Sequence, residues 1–409
     1  MGRTRIGKII QTQFIEILNN SEIKFLLLKT NVSIIFAMIF SLLVATPILD
    51  LFAEEENLVC SEGKVLVYRT ISDKYACVFP STAEKWHMTG FSEPVQQVKS
   101  FDMPPIHAEK MRTSAPLPET AIGPQIDFSK GYLVEEIKDG LYWVTDGAYQ
   151  TMFLTTGQGV IAIDAPPSIG QNYLKAIKEV TDEAITHVIY SHTHKDHIGA
   201  AGIFSDDVAI IAHKEAASAL EERNDPNRPI PTVTFEDKYT LEVGNQKLEL
   251  EYSGPMHESG NIFIYAPQQK VLMLVDVVFP GWTPFKDLAM AQDVPAFLAA
   301  HDKILEYDFD TYIGGHLTRL GTVEDVEIQK EYFQDIQNSA AKANQEVSFM
   351  TIGQEVGFSN PWLVFQIYAD QITQQCTDEV VPKWTDRLGG VDLFTYDHCW
   401  KISEAQRID

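Results

Sequence analysis

Four side chains able to hold a metal ion fall within six residues in Ser191-His192-Thr193-His194-Lys195-Asp196-His197, directly after the apolar run 185–190, Ile-Thr-His-Val-Ile-Tyr. That run reads as a buried strand, and Gly199, Ala200, Ala201 and Gly202 beyond the cluster suit a helix packed closely on a sheet. The cluster then sits on a loop at the carboxyl end of a strand, the usual place for a site in a layered α/β protein. Imidazole and carboxylate donors without thiolate suit zinc first, with iron or manganese behind it.

Three further segments carry candidate ligands. They are Gly254-Pro255-Met256-His257-Glu258-Ser259-Gly260-Asn261, Asp276 after Val271-Leu272-Met273-Leu274-Val275, and Ile313-Gly314-Gly315-His316. With the pattern His-x-His-x-Asp-His ahead of them, these segments resemble, in order and in context, the motifs of the metallo-β-lactamase superfamily. The resemblance covers residues 130–335. It implies an α/β fold, an αββα sandwich with all ligands at one edge, here with a small N-terminal extension and a helical C-terminal extension.

Carried over residue by residue, the resemblance implies that His192, His194 and His257 hold one metal and Asp196, His197 and His316 the other, with Asp276 bridging two Zn2+. Asp164, which ends Val160-Ile161-Ala162-Ile163, resembles the family's supporting aspartate that orients the ligand loop. Five neutral imidazoles and two carboxylates facing two divalent cations leave excess positive charge, which a bridging hydroxide lowers. Metal coordination brings bound water to a pKa near about 7, so that hydroxide is available as a nucleophile at neutral pH. The implied reaction is hydrolysis of a small-molecule substrate at a carbonyl carbon, with Asp196 orienting the nucleophile or passing a proton to the leaving atom. His87, His107, His187, His213, His301 and His398 are read as ordinary core or surface histidines, and Lys195 as solvated.

An aspartate at 276 favours the lactonases and hydroxyacyl-thioester hydrolases of that family over its true β-lactamases. The expected activity is opening of a small cyclic ester or amide, lactonase or β-lactamase-like. The alternatives are a thioester or phosphoester hydrolase and an iron-dependent oxygenase, and from another class a catalytically silent binding module. The tyrosine that acyl-homoserine lactonases carry shortly after the bridging aspartate is absent here. Two loops are candidate rims: Phe279-Pro280-Gly281-Trp282-Thr283-Pro284-Phe285, whose Trp282 and Phe285 suit an apolar group, and residues 224–231, where Arg228 would pair with a carboxylate.

The N-terminus differs from the rest. Residues 32–45 are uncharged and apolar, preceded by Arg3, Arg5, Lys8, Lys24 and Lys29 and followed by Glu54, Glu55 and Glu56. This polarity places the catalytic part outside the cell, secreted or on the outer face of the membrane. Residues 1–53 are expected to be a signal peptide cut near Ala53, or a retained membrane anchor. The stretch Ala76-Cys77-Val-Phe-Pro-Ser-Thr-Ala-Glu-Lys-Trp86 resembles a segment found in exported proteins of ammonia-oxidising archaea. Four cysteines, none in a metal motif, suit an oxidising compartment, and Cys60–Cys77 with Cys376–Cys399 is the economical pairing, other pairings or free thiols being the alternatives.

The formal charge of -25, with 32 basic and 57 acidic residues, argues against nucleic acid as a partner, because binding a phosphate backbone needs clustered lysine and arginine. The expected organisation has a leader at 1–53, a small disulfide-containing module with a Pro-rich linker at 54–129, the catalytic domain at 130–335 and a helical extension at 336–409. That extension is expected to pack on the catalytic domain, where it would cover the site or carry a homodimer contact.

Overall fold

The computed structural model describes residues 60, 61, 63–69, 74–83, 92–94 and 114–409. The expected leader, His87 and His107 lie outside these residues. Among the described residues no helix is long and apolar enough to cross a membrane. The chain divides into two units, Met1–Pro105 and Ile106–Asp409. In the first, β1 (Val65–Arg69) pairs antiparallel with both β2 (Lys74–Val78) and β3 (Ser92–Pro94), and a disulfide joins Cys60 to Cys77 with their Cα atoms 5.4 Å apart.

The second unit is built on two sheets. The first contains β4 (Leu133–Lys138), β5 (Leu141–Thr145), β6 (Gln150–Thr155), β7 (Val160–Ile163), β8 (Ile185–Ile189), β9 (Ala209–His213) and β10 (Val233–Phe235), in the order 10-9-8-7-6-5-4. The second contains β11 (Lys238–Val243), β12 (Gln246–Glu251), β13 (Phe263–Ala266), β14 (Val271–Met273) and β15 (Thr311–Ile313), in sequence order. Alternation along the strands sends successive side chains to opposite faces. Ile161 and Ile163 of β7 meet Met273 of β14 in the core between the sheets, whereas Val160 and Ala162 face outward onto Tyr173 and Ile177. Those two belong to α1 (Gln171–Val180), which with α2 (Lys195–Ile198) and α3 (Lys214–Arg223) covers the outer face of the first sheet.

The outer face of the second sheet, through Phe263 and Leu272, is covered by α4 (Val294–Ile304), α5 (Val323–Glu346), α7 (Pro361–Trp384) and α8 (Val391–Ile408), while α6 (Phe349–Val356) packs on α7. The layers therefore run helix, sheet, sheet, helix, the sandwich expected from the sequence. A disulfide joins Cys376 of α7 to Cys399 of α8.

Three expectations are revised. The boundary placed at 335/336 falls inside α5, whose Val326, Phe333, Ile336, Ala340 and Ala343 form one continuous buried stripe, so nothing interrupts the helix there. Residues 114–123, read as linker, are fastened to the second unit: Trp282 Nε1 donates to the Ala121 carbonyl at 3.0 Å, and Arg319 Nε to that of Thr120 at 2.6 Å. Gly281 permits this approach, since a Cβ there would lie 2.0 Å from the Thr120 oxygen. The helix expected after the ligand cluster is a single turn, Lys195–Ile198, followed by a 3-10 turn at Ala201–Ile203.

Candidate metal centre

The seven expected ligands come from loops at the carboxyl ends of β8, β12, β14 and β15, all opening on one edge of the sandwich. β7 ends there too, in Asp164, at φ 50°. Its buried carboxylate accepts from the Ser191 amide at 2.7 Å, and this bond fixes the start of the ligand loop. Burial pushes the Asp164 carboxyl up to about 6.

Two groups of donors result. One atom each of His192, His194, His257 and Asp276 lie within 4.8 Å of one another, and so do those of Asp196, His197 and His316. His257 Nε2 stands 2.9 Å from His194 Nδ1, and His197 Nε2 stands 3.0 Å from His316 Nε2. Asp276 lies between the groups: its Oδ2 is 3.2 Å from both His197 and His257 and 3.5 Å from His192, and its Oδ1 is 3.0 Å from His316. It too has a left-handed backbone, φ 66°, held by its amide donating to the Gly314 carbonyl.

The donor set fits divalent cations. Neutral imidazole nitrogens pointing lone pairs at each other repel unless a proton or a metal lies between them. His192 Nε2 is fully buried and has no hydrogen-bond partner. Burial, assisted by the neighbouring His197, holds the His192 imidazole well below its ordinary value, and burial lowers His194 as well, which leaves both as neutral ligands. Burial alone would raise Asp276, but His197, His316 and His257 overcome it and keep the carboxyl well below the usual range. His197 shows the opposite balance: although burial opposes it, Asp276 pushes the imidazole up to about 9. The proton it carries is the one a cation would displace.

The surrounding residues include several that the sequence left unmarked. Glu258 is buried and accepts from the Thr193 amide at 2.9 Å, from the Thr193 hydroxyl at 2.6 Å and from Arg223 Nη2 at 3.3 Å, with His194 Nε2 3.6 Å away. Its signal was an acid directly after a ligand histidine. Tyr149, in the β5–β6 turn, places its hydroxyl 3.3 Å from Asp196 Oδ2 and its ring 4.6 Å from that of His316. Burial, helped by Asp196, pushes the phenol up to about 12, so it is a hydroxyl donor at neutral pH.

The expected rim residues separate. Phe285 is partly exposed with its ring 6.5 Å from His316, at the edge of the site. Trp282 is turned onto Ala121 and Gly389 and is a packing residue. Arg228 is not a free carboxylate partner: it is 4% exposed, and its guanidinium donates to the Thr193 carbonyl at 2.6 Å and to Asp225 at 3.0 Å. Its work is to hold the ligand loop.

Residues 144–316 match the model of a family described as the metallo-beta-lactamase superfamily. The 2,4-dinitroanisole O-demethylase subunit alpha of Nocardioides sp. (strain JS1661) is 28% identical over 211 residues, which are 49% of this chain and 62% of that protein. The metallo-beta-lactamase type 2 of Elizabethkingia meningoseptica is 25% identical over 150 residues, 34% of this chain and 59% of that protein. The chain thus spans about three-fifths of the length of these two relatives. Among solved structures, a metallo-beta-lactamase from Pontibacter korlensis is 21% identical, with coverage of 49% of this chain and 97% of that one and a TM-score of 0.43.

Proposed function

Because residues 144–316 belong to the metallo-β-lactamase superfamily, we propose that this protein is an exported dinuclear zinc hydrolase that opens a small cyclic ester or amide. The observation that carries the reading is the convergence of five imidazoles and two carboxylates into two adjacent groups with Asp276 between them. His192, His194 and His257 would hold one ion, Asp196, His197 and His316 the other. Bound there, divalent cations supply a nucleophile at neutral pH and stabilise negative charge on a carbonyl oxygen.

The rest is the work of this chain's own residues. Asp164, Glu258 and Arg228 hold the ligand loop in place from behind, so the donors need no rearrangement during reaction. Asp196, with its side chain 44% exposed, faces the substrate and can take the proton that the attacking water loses and return it to the leaving atom. Phe285 offers an apolar surface to the part of the substrate that does not react. The paired disulfides and the acidic surface suit an exported protein.

The similarity to a protein named as a 2,4-dinitroanisole O-demethylase subunit favours a second reading, hydrolysis of an electron-poor aryl ether. The same nucleophile would attack an activated ring carbon, where nitro groups accept the charge, and displace methanol.

Metal content and turnover decide between these readings. The full-length protein loaded with zinc is assayed with δ-valerolactone, a chromogenic β-lactam and 2,4-dinitroanisole, with Asp196→Ala as control. Two zinc ions per chain and ring opening that the variant loses by at least a hundredfold support the first reading. Turnover of the ether alone replaces it with the second, and one iron per chain with no hydrolysis of any of the three discards both.

A further inference from the structure

Within this hydrolase reading, we propose that Tyr149 is a catalytic residue, whose hydroxyl donates a hydrogen bond to the leaving oxygen of the substrate at the Asp196 side of the metal centre.

Position comes first. The turn that carries Tyr149 is stitched to the loop that carries His316 by Gln150 N to the Gly315 carbonyl at 2.8 Å and Leu317 N to the Ala148 carbonyl at 2.7 Å. The side-chain amide of the fully buried Gln150 donates to the carbonyls of His316, Leu317 and Arg319 at 2.9–3.0 Å. The Tyr149 ring then leans on His316 and, at 5.6 Å, on His197. A group fixed in this way to both imidazoles of one half-site keeps its hydroxyl at a set height above that half-site, as a preorganised donor requires.

The hydroxyl is also loosely held. Among the described residues its acceptor is Asp196 Oδ2, 3.3 Å away, longer than an ordinary hydroxyl–carboxylate bond of about 2.5–2.7 Å. A small rotation releases it to an oxygen arriving above Asp196. In ring opening, the bond from water oxygen to the acyl carbon forms, and the acyl carbon–oxygen bond breaks with its electron pair on the ring oxygen. The proton lost by the water reaches that oxygen through Asp196. A donor beside Asp196 stabilises the ring oxygen while it is negative and unprotonated, and it is most needed where that oxygen is most basic.

The test compares two six-membered lactones in wild type and Tyr149→Phe: δ-valerolactone, which leaves as an alkoxide, and dihydrocoumarin, which leaves as a phenolate. The proposal expects kcat on δ-valerolactone to fall by about tenfold to a hundredfold, the range for losing a hydrogen bond to a charged group. KM and zinc content should be unchanged, and the loss on dihydrocoumarin should be less than about threefold. Equal losses on both lactones, losses that follow the zinc content, or no loss overturn it. A readout without turnover separates its failure from that of the hydrolase reading. Phenylboronic acid binds as a tetrahedral, negatively charged oxygen ligand, and calorimetry on the zinc-loaded full chain should show about tenfold or greater weakening in Tyr149→Phe. If wild type opens neither the lactones nor the chromogenic β-lactam, the hydrolase reading falls. Boronate binding that is equal in the two proteins then also removes Tyr149 as a donor.

Discussion

At the scale of single residues, the most informative side chains are those that hold a ligand without being one. Glu258, itself buried, joins the Thr193 amide and hydroxyl, Arg223 and the outer nitrogen of His194 into one cluster. Glu258→Gln keeps the shape and removes the charge. It should weaken zinc binding by about tenfold to a hundredfold, the usual cost of losing a partner behind a metal ligand, as read by titration against a chromophoric chelator. Arg228→Ala should act in the same assay, because it frees the Thr193 carbonyl, while leaving the ratio of KM values for anionic and neutral substrates unchanged. A shift in that ratio would restore Arg228 to the substrate rim. The difference between these residues and the ligands explains what the sequence could show. His192, His194, Asp196 and His197 are adjacent in the chain, so their chemistry is visible as a string. Arg228 meets Thr193 across 35 residues and Glu258 meets it across 65. No local pattern reports such a meeting, and an arginine beside prolines in a loop reads as solvent-facing until its partner is known. Tyr149 was invisible for the same reason.

At the scale of elements, the C-terminal helices support the floor of the site. Gln329 of α5 donates to the Val277 carbonyl and accepts from the Phe279 amide, clamping the chain just after Asp276. His398 of α8 lies 3.2 Å from the Phe285 carbonyl through Nε2 and 2.9 Å from the Tyr332 hydroxyl through Nδ1. Burial pushes both His398 and His301, the partner of Gln329, down to about 4 from an ordinary value of 6.5. Between those pH values the unfolded chain binds protons that the native state refuses, so their contribution is complete above pH 6.5 and is lost as pH falls toward 4. Urea midpoints at pH 7.5 and pH 5 should therefore differ less in a His301→Asn/His398→Asn variant than in the parent. The Cys376–Cys399 bridge joins α7 to α8 within this layer. Replacing both cysteines by serine should cost about 2–4 kcal/mol, read from the urea midpoint, since the closed loop no longer restricts the unfolded chain. The helical character of the C-terminal extension was readable from the sequence. That these helices form the outer layer of the second sheet was not, because Phe263 and Leu272 of the sheet and Tyr332 and Trp384 of the helices come together in one core only in three dimensions.

At the scale of the whole molecule, the metal centre is where the two sheets are tied together. His192, His194, Asp196 and His197 follow β8 of the first sheet, whereas His257, Asp276 and His316 come from loops of the second. The apolar core between the sheets holds them together along their length, but at this edge the contacts are imidazoles and carboxylates, which repel or demand protons when no cation is present. Ligands drawn from both sheets mean that an ion binds the folded state and has no comparable site in the unfolded chain. Each ion at a hundred times its dissociation constant then adds about 2.7 kcal/mol to folding. Removing two should lower the melting temperature by on the order of 10 °C for a chain of this size. Calorimetry of the full chain with zinc and after chelation measures this directly, and re-addition of zinc should restore the transition. The single substitutions His192→Ala and His316→Ala should each abolish part of the zinc-dependent shift, because they stand in different halves of the centre. Equal melting with and without zinc would mean that the ligand loops keep their places through Asp164, Glu258, Gln150 and Gln329 alone, and that the ions act in chemistry without holding the sheets.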